Sequence, residues 1–284
     1  MSGTLYLVGT PIGNLEDLTL RAQRVLAEVD LVAAEDTRRT VHLLSHLGIS
    51  KPIMSYHEHN RRTAAPKLIA ALQEGRSVAL VSDAGMPVVS DPGAELVREV
   101  VALGIAVTVI PGPCAVSSAL ALSGMAGDRF AFEGFLPREG KARREALAAL
   151  KNERRTMVFY EAPHRLRRTL QDLLAALGDR EAALCNDITK FYERVDRAPL
   201  TALLSQAQDK EPRGEYALVV QGSQSAADAQ PEDQYAALPP EQHVAALIAQ
   251  GLGRQEAIKR VARERRLPRN DVYQAYLRTQ NDQI

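Results

Sequence analysis

The chain has no tryptophan, only two cysteines, and a formal net charge of +0. Each shortfall removes a class of protein. Cys114 and Cys185 are well separated, so neither a disulfide framework nor a cysteine-rich zinc site is available, and their scarcity fits a reducing compartment. The balance of 35 Lys+Arg against 35 Asp+Glu argues against a protein that coats nucleic acid indiscriminately, while leaving room for a local basic patch. No stretch approaches the ~20 apolar residues of a membrane span. The first residues lack the basic start of a signal peptide and read as a strand. The expected location is therefore the cytoplasm. What is present is ordinary globular material: 284 residues, 45% hydrophobic and 25% charged, enough for two domains and a small extra module.

Short apolar runs rich in branched residues alternate with helical spacing. Residues 4–8, 31–34, 53–56, 77–81 and 105–110 are predicted strands. Between them, Leu18, Ala22, Val25, Leu26 and Val29 share one helix face. Thr37 is positioned to cap a helix closed by Gly48, and Thr63 to open one closed by Gly75. Asp91-Pro92 offers an N-cap followed by proline, with Gly104 as the stop. Such alternation predicts α/β architecture with a largely parallel sheet. The pattern then restarts, with strands at 130–134, 156–160, 182–188 and 216–220 and helices at 143–150, 163–177 and 200–207. The predicted division is an N-terminal α/β lobe over 1–112, a second α/β lobe over 113–222, a polar linker over 223–235, and a basic helical module over 236–284.

In open parallel sheets, ligands bind beyond the carboxyl ends of the strands. Five consecutive strand ends here carry Gly, Pro, carboxylates or imidazoles: Gly9 to Asn14, Glu35 to Arg38, His57 to Asn60, Ser82 to Gly93, and Pro111 to Cys114. A binding crevice is expected there. The first loop does not match Gly-x-Gly-x-x-Gly, and no Gly-Lys-Ser/Thr loop occurs, so a ligand held by its phosphates is disfavoured. A nucleoside-like ligand remains, with Asp83 either contacting ribose hydroxyls or a cation, or serving only as a turn residue.

Eight segments occur in a set order: VGTPIGNLEDLTLRA, AAEDTR, SYHEHN, LVSDAGMPVVSDPG, PGPCAV, FEGFLPR, FYEAPHRL and PRGEYALVV. Together they resemble the tetrapyrrole methylase superfamily, and within it the branch that methylates the ribose 2′-oxygen of a cytidine in the decoding region of 16S ribosomal RNA. That resemblance implies S-adenosylmethionine in a cleft between two α/β lobes, a homodimer, and 16S rRNA or the small ribosomal subunit as partner. It assigns cofactor contacts to Pro11, Asp83, Ala84, Gly85, Met86, Cys114 and Ala115 from the first lobe. From the second lobe it assigns Tyr160, Glu161 and the loop ending at Gly214. The chain departs from the family pattern at Met86 and Cys114, where small residues and Ser are usual, and at Asn186 and Asp187, where Arg and Glu are usual.

Methyl transfer to a ribose hydroxyl needs aligned reactants and a destination for the hydroxyl proton. The expected candidates are Glu35, Asp36, His57, Glu58, His59 and Lys190, with Asp36 and Glu58 ranked first because they follow strands expected to be adjacent. Against this, acidic residues also serve simply to cap helix N-termini. His57 and His59 share a side if the strand continues, but no third metal ligand is evident, so no metal is expected. Residues 137–168 hold ten Lys/Arg against four acids, and residues 253–278 eight against three. Both read as phosphate-contacting patches or as solvated helix faces. In the tail, Ala257, Val261, Ala262 and Leu267 form an apolar stripe opposite Lys259, Arg260, Arg263 and Arg266. With few exposed aromatics expected, RNA recognition would rest on shape and backbone. Two other readings stay open: a small-molecule methylase of the same fold, and a non-enzymatic nucleic-acid-binding regulator.

Overall fold

The structure, a computed structural model, describes residues 2–224, 238–265 and 267–281. The chain divides into two compact units after Ser223. Residues 225–237, which take in most of the expected linker, lie outside the described residues, as does Arg266.

The larger unit holds two five-stranded sheets. The first contains β1 (Thr4–Val8), β2 (Leu31–Ala34), β3 (Ile53–Ser55), β4 (Val78–Val81) and β5 (Ala106–Ile110), in the order β3-β2-β4-β1-β5. Every pairing in it is parallel. The crossovers are α1 (Leu20–Glu28), α2 (Thr37–His46), α3 (Arg61–Gln73) and α4 (Ala94–Ala102). Strand alternation sorts side chains to two faces. Leu5, Leu31, Ala33, Val78 and Leu80 join one buried cluster with Leu68, Leu72 and Leu96 of α3 and α4. Val8, Val32, Ala34, Ala79 and Val81 join the other, with Ala22, Leu26 and Leu44 of α1 and α2. Burial on both faces is why these strands read as continuous apolar runs.

Helix α5 (Ala115–Ser123) leads to the second sheet: β6 (Phe130–Phe135), β7 (Thr156–Glu161), β8 (Glu181–Asn186), β9 (Arg194–Pro199) and β10 (Tyr216–Val220), in the order β6-β7-β10-β8-β9. Unlike the first sheet, this one is mixed: only β6 and β7 run parallel, and the other three pairings are antiparallel. Strand β9 was not predicted at all. It is an edge strand of alternating charge, RVDRAP, with no apolar run to signal it. Helices α6 (Gly140–Leu150), α7 (Pro163–Leu177) and α8 (Leu200–Asp209) cover one face through Met157, Phe159, Leu184 and Leu218. Helix α5 covers the other through Val158, Ala183, Ala217 and Val219.

Three helix starts differ from expectation. Asp36, not Thr37, caps α2, its carboxylate accepting from the Arg38 N–H at 2.9 Å. Helix α3 begins at Arg61, and the Thr63 hydroxyl donates to the Asn60 carbonyl instead of opening the helix. Asp91 does not cap α4, which starts three residues later after Gly93 (φ +138°). A Cβ at Gly93 would stand 2.8 Å from the Leu80 side chain, and Val88 (φ +76°) and Ser90 (φ +61°) are also left-handed. The segment between β4 and α4 is thus a tightly folded loop, not a helix entrance.

The smaller unit is three helices, α9 (Pro240–Ala249), α10 (Arg254–Glu264) and α11 (Arg269–Asn281), around Val244, Leu247, Ile258, Val261, Val272 and Tyr276. Of the expected stripe, Ala257, Val261 and Ala262 are buried, whereas Leu267 is 39% exposed because it follows the helix end. No described helix is long and apolar enough to cross a membrane.

Candidate functional site

A cavity of about 370 Å³ opens between the two sheets of the larger unit. That falls within the range of small-molecule sites. One wall comes from the first sheet's strand ends: Ile12, Arg39, the Asp83–Met86 turn and the loop through Asp91. The other comes from the second: Phe135, Tyr160 to Pro163, Ile188, and Gly214 to Ala217. Cys114 and Ala115, at the N-terminus of α5, complete the lining.

Backbone contacts fix the Asp83–Met86 turn. Thr10 and Gly85 exchange N–H···O bonds of 2.9 and 3.1 Å, and the Thr10 and Ser82 hydroxyls both donate to the Gly85 carbonyl. Gly85 needs its φ of +87°, which side chains disfavour. On the opposite wall the Tyr160 ring meets Phe132 edge-on at 5.0 Å and Phe135 at 5.7 Å, and burial pushes its hydroxyl above the ordinary tyrosine range.

The electrostatics of the first wall are acidic. Asp91 is pushed up to about 7 by burial and then by the nearby Glu35 carboxylate. Glu35 is itself raised by burial and by Asp83. Asp83 is anchored by the Asp36 N–H at 2.8 Å, with the Arg39 guanidinium 3.8 Å from its other oxygen. Carboxylates, aromatic rings and few free cations suit a ligand that carries positive charge and flat apolar surface, not a polyphosphate.

Nine of the ten residues expected to hold a cofactor line this cavity: Asp83, Ala84, Gly85, Met86, Cys114, Ala115, Tyr160, Glu161 and Gly214. Pro11 does not, although its neighbour Ile12 does. The Glu161 carboxylate is turned into the second lobe, where it accepts from the Ala162 N–H at 2.9 Å and the Thr169 hydroxyl at 2.5 Å and pairs with Arg165 at 3.3 Å.

None of the six residues expected to move a proton lines the cavity. Asp36 is the cap of α2, and its hydrogen bonds from the Arg38 side chain and backbone hold its carboxyl down at about 2. Glu58 is exposed and paired with Arg61 at 2.9 Å. His57 and His59 stand in a turn, because β3 ends at Ser55, and their rings meet edge-on at 6.0 Å. Lys190 is held between Asp187 and Glu215, each at 2.7 Å. Glu35 comes nearest in role, through its charge coupling to Asp83 and Asp91. Among the described residues no group of three potential metal ligands assembles.

Sequence reasoning missed Asp91, Arg39 and Phe135. Asp91 was assigned to a helix cap, so the signal was present and misread. Arg39 lies outside the eight segments and Phe135 inside FEGFLPR, but only the packing of the two sheets turns them toward one space.

Eight of the ten Lys/Arg in the first basic patch are exposed, and part of the patch is structural. Arg143 is 3% exposed and bonds Asp172 (2.7 Å), the Pro137 carbonyl (2.9 Å) and Thr169 (2.9 Å). Arg155 pairs with Glu153, and Arg167 donates to the Ala207 carbonyl. These charges hold the second lobe together.

Three comparisons with known proteins agree. The family model described as Tetrapyrrole (Corrin/Porphyrin) Methylases matches residues 4–204. Ribosomal RNA small subunit methyltransferase I of Halalkalibacterium halodurans is 49% identical over 274 residues, 96% of this chain and 94% of that protein. The protein of the same name from Thermotoga maritima is 49% identical over 222 residues, 78% of this chain but 100% of its own length. Among solved structures, uroporphyrin-III-C-methyltransferase from Thermus thermophilus aligns with a TM-score of 0.56 at 27% identity, covering 77% of this chain and 94% of that one.

Proposed function

Since the chain belongs to the tetrapyrrole methylase family, we propose that it transfers a methyl group from S-adenosylmethionine to the ribose 2′-oxygen of a cytidine in the decoding region of 16S ribosomal RNA. The observation that carries this reading is 49% identity over 96% of the chain to a ribosomal RNA small subunit methyltransferase I. The acidic, aromatic-walled cavity supports it, because the cofactor is a cation with a flat adenine. When bound, that cofactor supplies an electrophilic methyl group on sulfur. A homodimer acting on the assembled small subunit in the cytoplasm is part of the same proposal.

The chain's own residues divide the remaining work. The Asp83, Ala84, Gly85 and Met86 turn and the Cys114-Ala115 helix start hold one side of the ligand, with Tyr160 and Gly214 on the other. Their backbone is braced before binding, so little ordering is needed at the moment of reaction. Asp91 is the proposed base. It lines the cavity, and a carboxyl near 7 is matched to accepting a proton at neutral pH. Glu35 keeps that affinity for protons high, which makes it a positioning residue; Asp36, Glu58, His57, His59 and Lys190 shape the strand ends around the site.

The test is transfer of labelled methyl to purified small ribosomal subunits with the acceptor mapped. One 2′-O-methylated cytidine in the decoding region is the expected result. Tight cofactor binding without transfer to any RNA would overturn the reading and redirect the search to small-molecule acceptors.

A further inference from the structure

The two most exposed aromatic side chains among the described residues are consecutive: Phe191 at 92% and Tyr192 at 80%. They sit on the loop between β8 and β9, whose first turn includes Ile188, a residue lining the cavity. Their rings meet edge-on, 4.9 Å apart at 86°.

This loop is braced, not slack. Asp187 (φ +49°) and Thr189 (φ +66°) adopt left-handed backbone that such residues enter only when their surroundings hold them there. The Thr189 N–H donates to the Glu193 carboxylate at 2.6 Å, and its hydroxyl donates to Asp17 of the opposite lobe. Lys190 bridges Asp187 and Glu215, and Glu215 also lines the cavity. A loop fixed at both ends, beside the cavity, with two rings held in water, lacks an internal reason for those rings.

Resting on the methylation reading above, we propose that Phe191 and Tyr192 stack on unpaired bases of the RNA that flank the acceptor nucleotide. Single-stranded RNA is recognised largely through bases splayed onto aromatic faces. The neighbouring cations favour base faces over phosphates, because Lys190 is paired with two carboxylates and Arg194 with Asp196 at 2.7 Å. A second copy of this chain is the less suitable occupant. The adjacent edge strand β9 presents Arg194, Asp196 and Arg197 and ends in Pro199, features that discourage pairing with another strand.

The test compares the wild type, F191A/Y192A and the ring-preserving F191Y/Y192F. Each is measured for kcat and KM with purified small subunits, and for direct binding to a single-stranded RNA oligonucleotide spanning the acceptor. Cofactor affinity by calorimetry and sedimentation complete the set. The expected loss in F191A/Y192A is a rise in KM and in oligonucleotide Kd of roughly 5- to 100-fold per ring. Cofactor affinity and the dependence of RNA binding on salt should not change, and F191Y/Y192F should restore wild-type values. Unchanged RNA affinity and KM in F191A/Y192A would overturn the proposal, as would a shift from dimer to monomer, which would assign the rings to a contact between copies. The oligonucleotide arm needs no methyl transfer. Ring-dependent binding without methyl transfer to any RNA would keep the stacking on unpaired bases, overturn its placement beside an acceptor, and sink the methylation reading.

Discussion

The backbone N–H of Asp36 donates to the Oδ1 of Asp83 at 2.8 Å, joining the ends of two strands, β2 and β4, whose residues lie 47 positions apart. One aspartate caps a helix and the other lines the cavity, so this bond ties the α2 entrance to the cavity turn. Asp83→Asn retains an acceptor oxygen and is expected to fold normally while weakening cofactor binding. Asp83→Ala leaves the Asp36 N–H without its partner and should also lower unfolding stability by ~1 kcal/mol. Calorimetric cofactor titration and urea unfolding of both variants separate the two effects.

Asp91 links activity and stability to pH in opposite directions. Its ordinary value of 3.8 is raised to about 7 in the folded chain by burial and by Glu35. Between about pH 4 and 7 the folded state therefore holds a proton that the unfolded chain has released. Stability from this group is full below pH 4 and declines as pH rises through 7. As a base Asp91 must be ionised, so kcat should rise over the same interval and level off above it. Asp91→Asn should flatten both profiles, lower kcat by ~10²–10⁴-fold, and make the protein more stable than wild type at pH 8. A pH-rate profile unchanged in the variant would remove Asp91 from the mechanism.

Gly214 is a position where one methyl group is decisive. Its φ is +86°, and a Cβ would lie 2.2 Å from the Asp187 carboxylate. Gly214→Ala should therefore displace Asp187 from Lys190 and cost about 1–2 kcal/mol from backbone strain alone. Because Gly214 lines the cavity, cofactor Kd should rise as well. Thermal unfolding with and without cofactor reads both.

The Arg143 side chain is buried, so salt should screen its ion pair less than an exposed one. Arg143 is 3% exposed and bonds Asp172 and Thr169, and Thr169 in turn donates to Glu161. Arg143→Ala removes a buried cation from a partly buried Asp172 that keeps Arg168 nearby, with an expected loss of ~1–3 kcal/mol. Lys141, paired with Glu145 on the exposed face of the same helix, should change stability by less than ~1 kcal/mol when replaced by Ala. Denaturation of both variants at low and high salt tests the contrast.

Much of the fold was legible because burial imposes pattern. Strands β1, β2 and β10 have the predicted ends, since each is an apolar run bounded by turn residues. Strand β9 was not legible, for its solvent-facing edge position tolerates charge at alternate positions. The Asp83–Met86 turn was legible through its Gly and Asp content, and nine of the ten residues named as cofactor contacts line one cavity. The residue proposed as the base was not. Asp36 and Asp91 look alike in sequence, each an acid before a helix, yet one is a cap held at about 2 and the other a cavity carboxyl near 7.

The sequence by itself determined the two α/β repeats and the strand-end loops, because secondary structure and burial follow from local periodicity. It also determined the family, through the order of its motifs. Only the tertiary structure decided that the second sheet is mixed, that Asp91 and not Asp36 meets the cavity, and that Arg143 belongs to a core network. It also decided that Phe191 and Tyr192 stand in water. The reason is common to all four: strand pairing, desolvation and charge pairing depend on residues brought together from distant parts of the chain, and no local pattern encodes which partner will arrive.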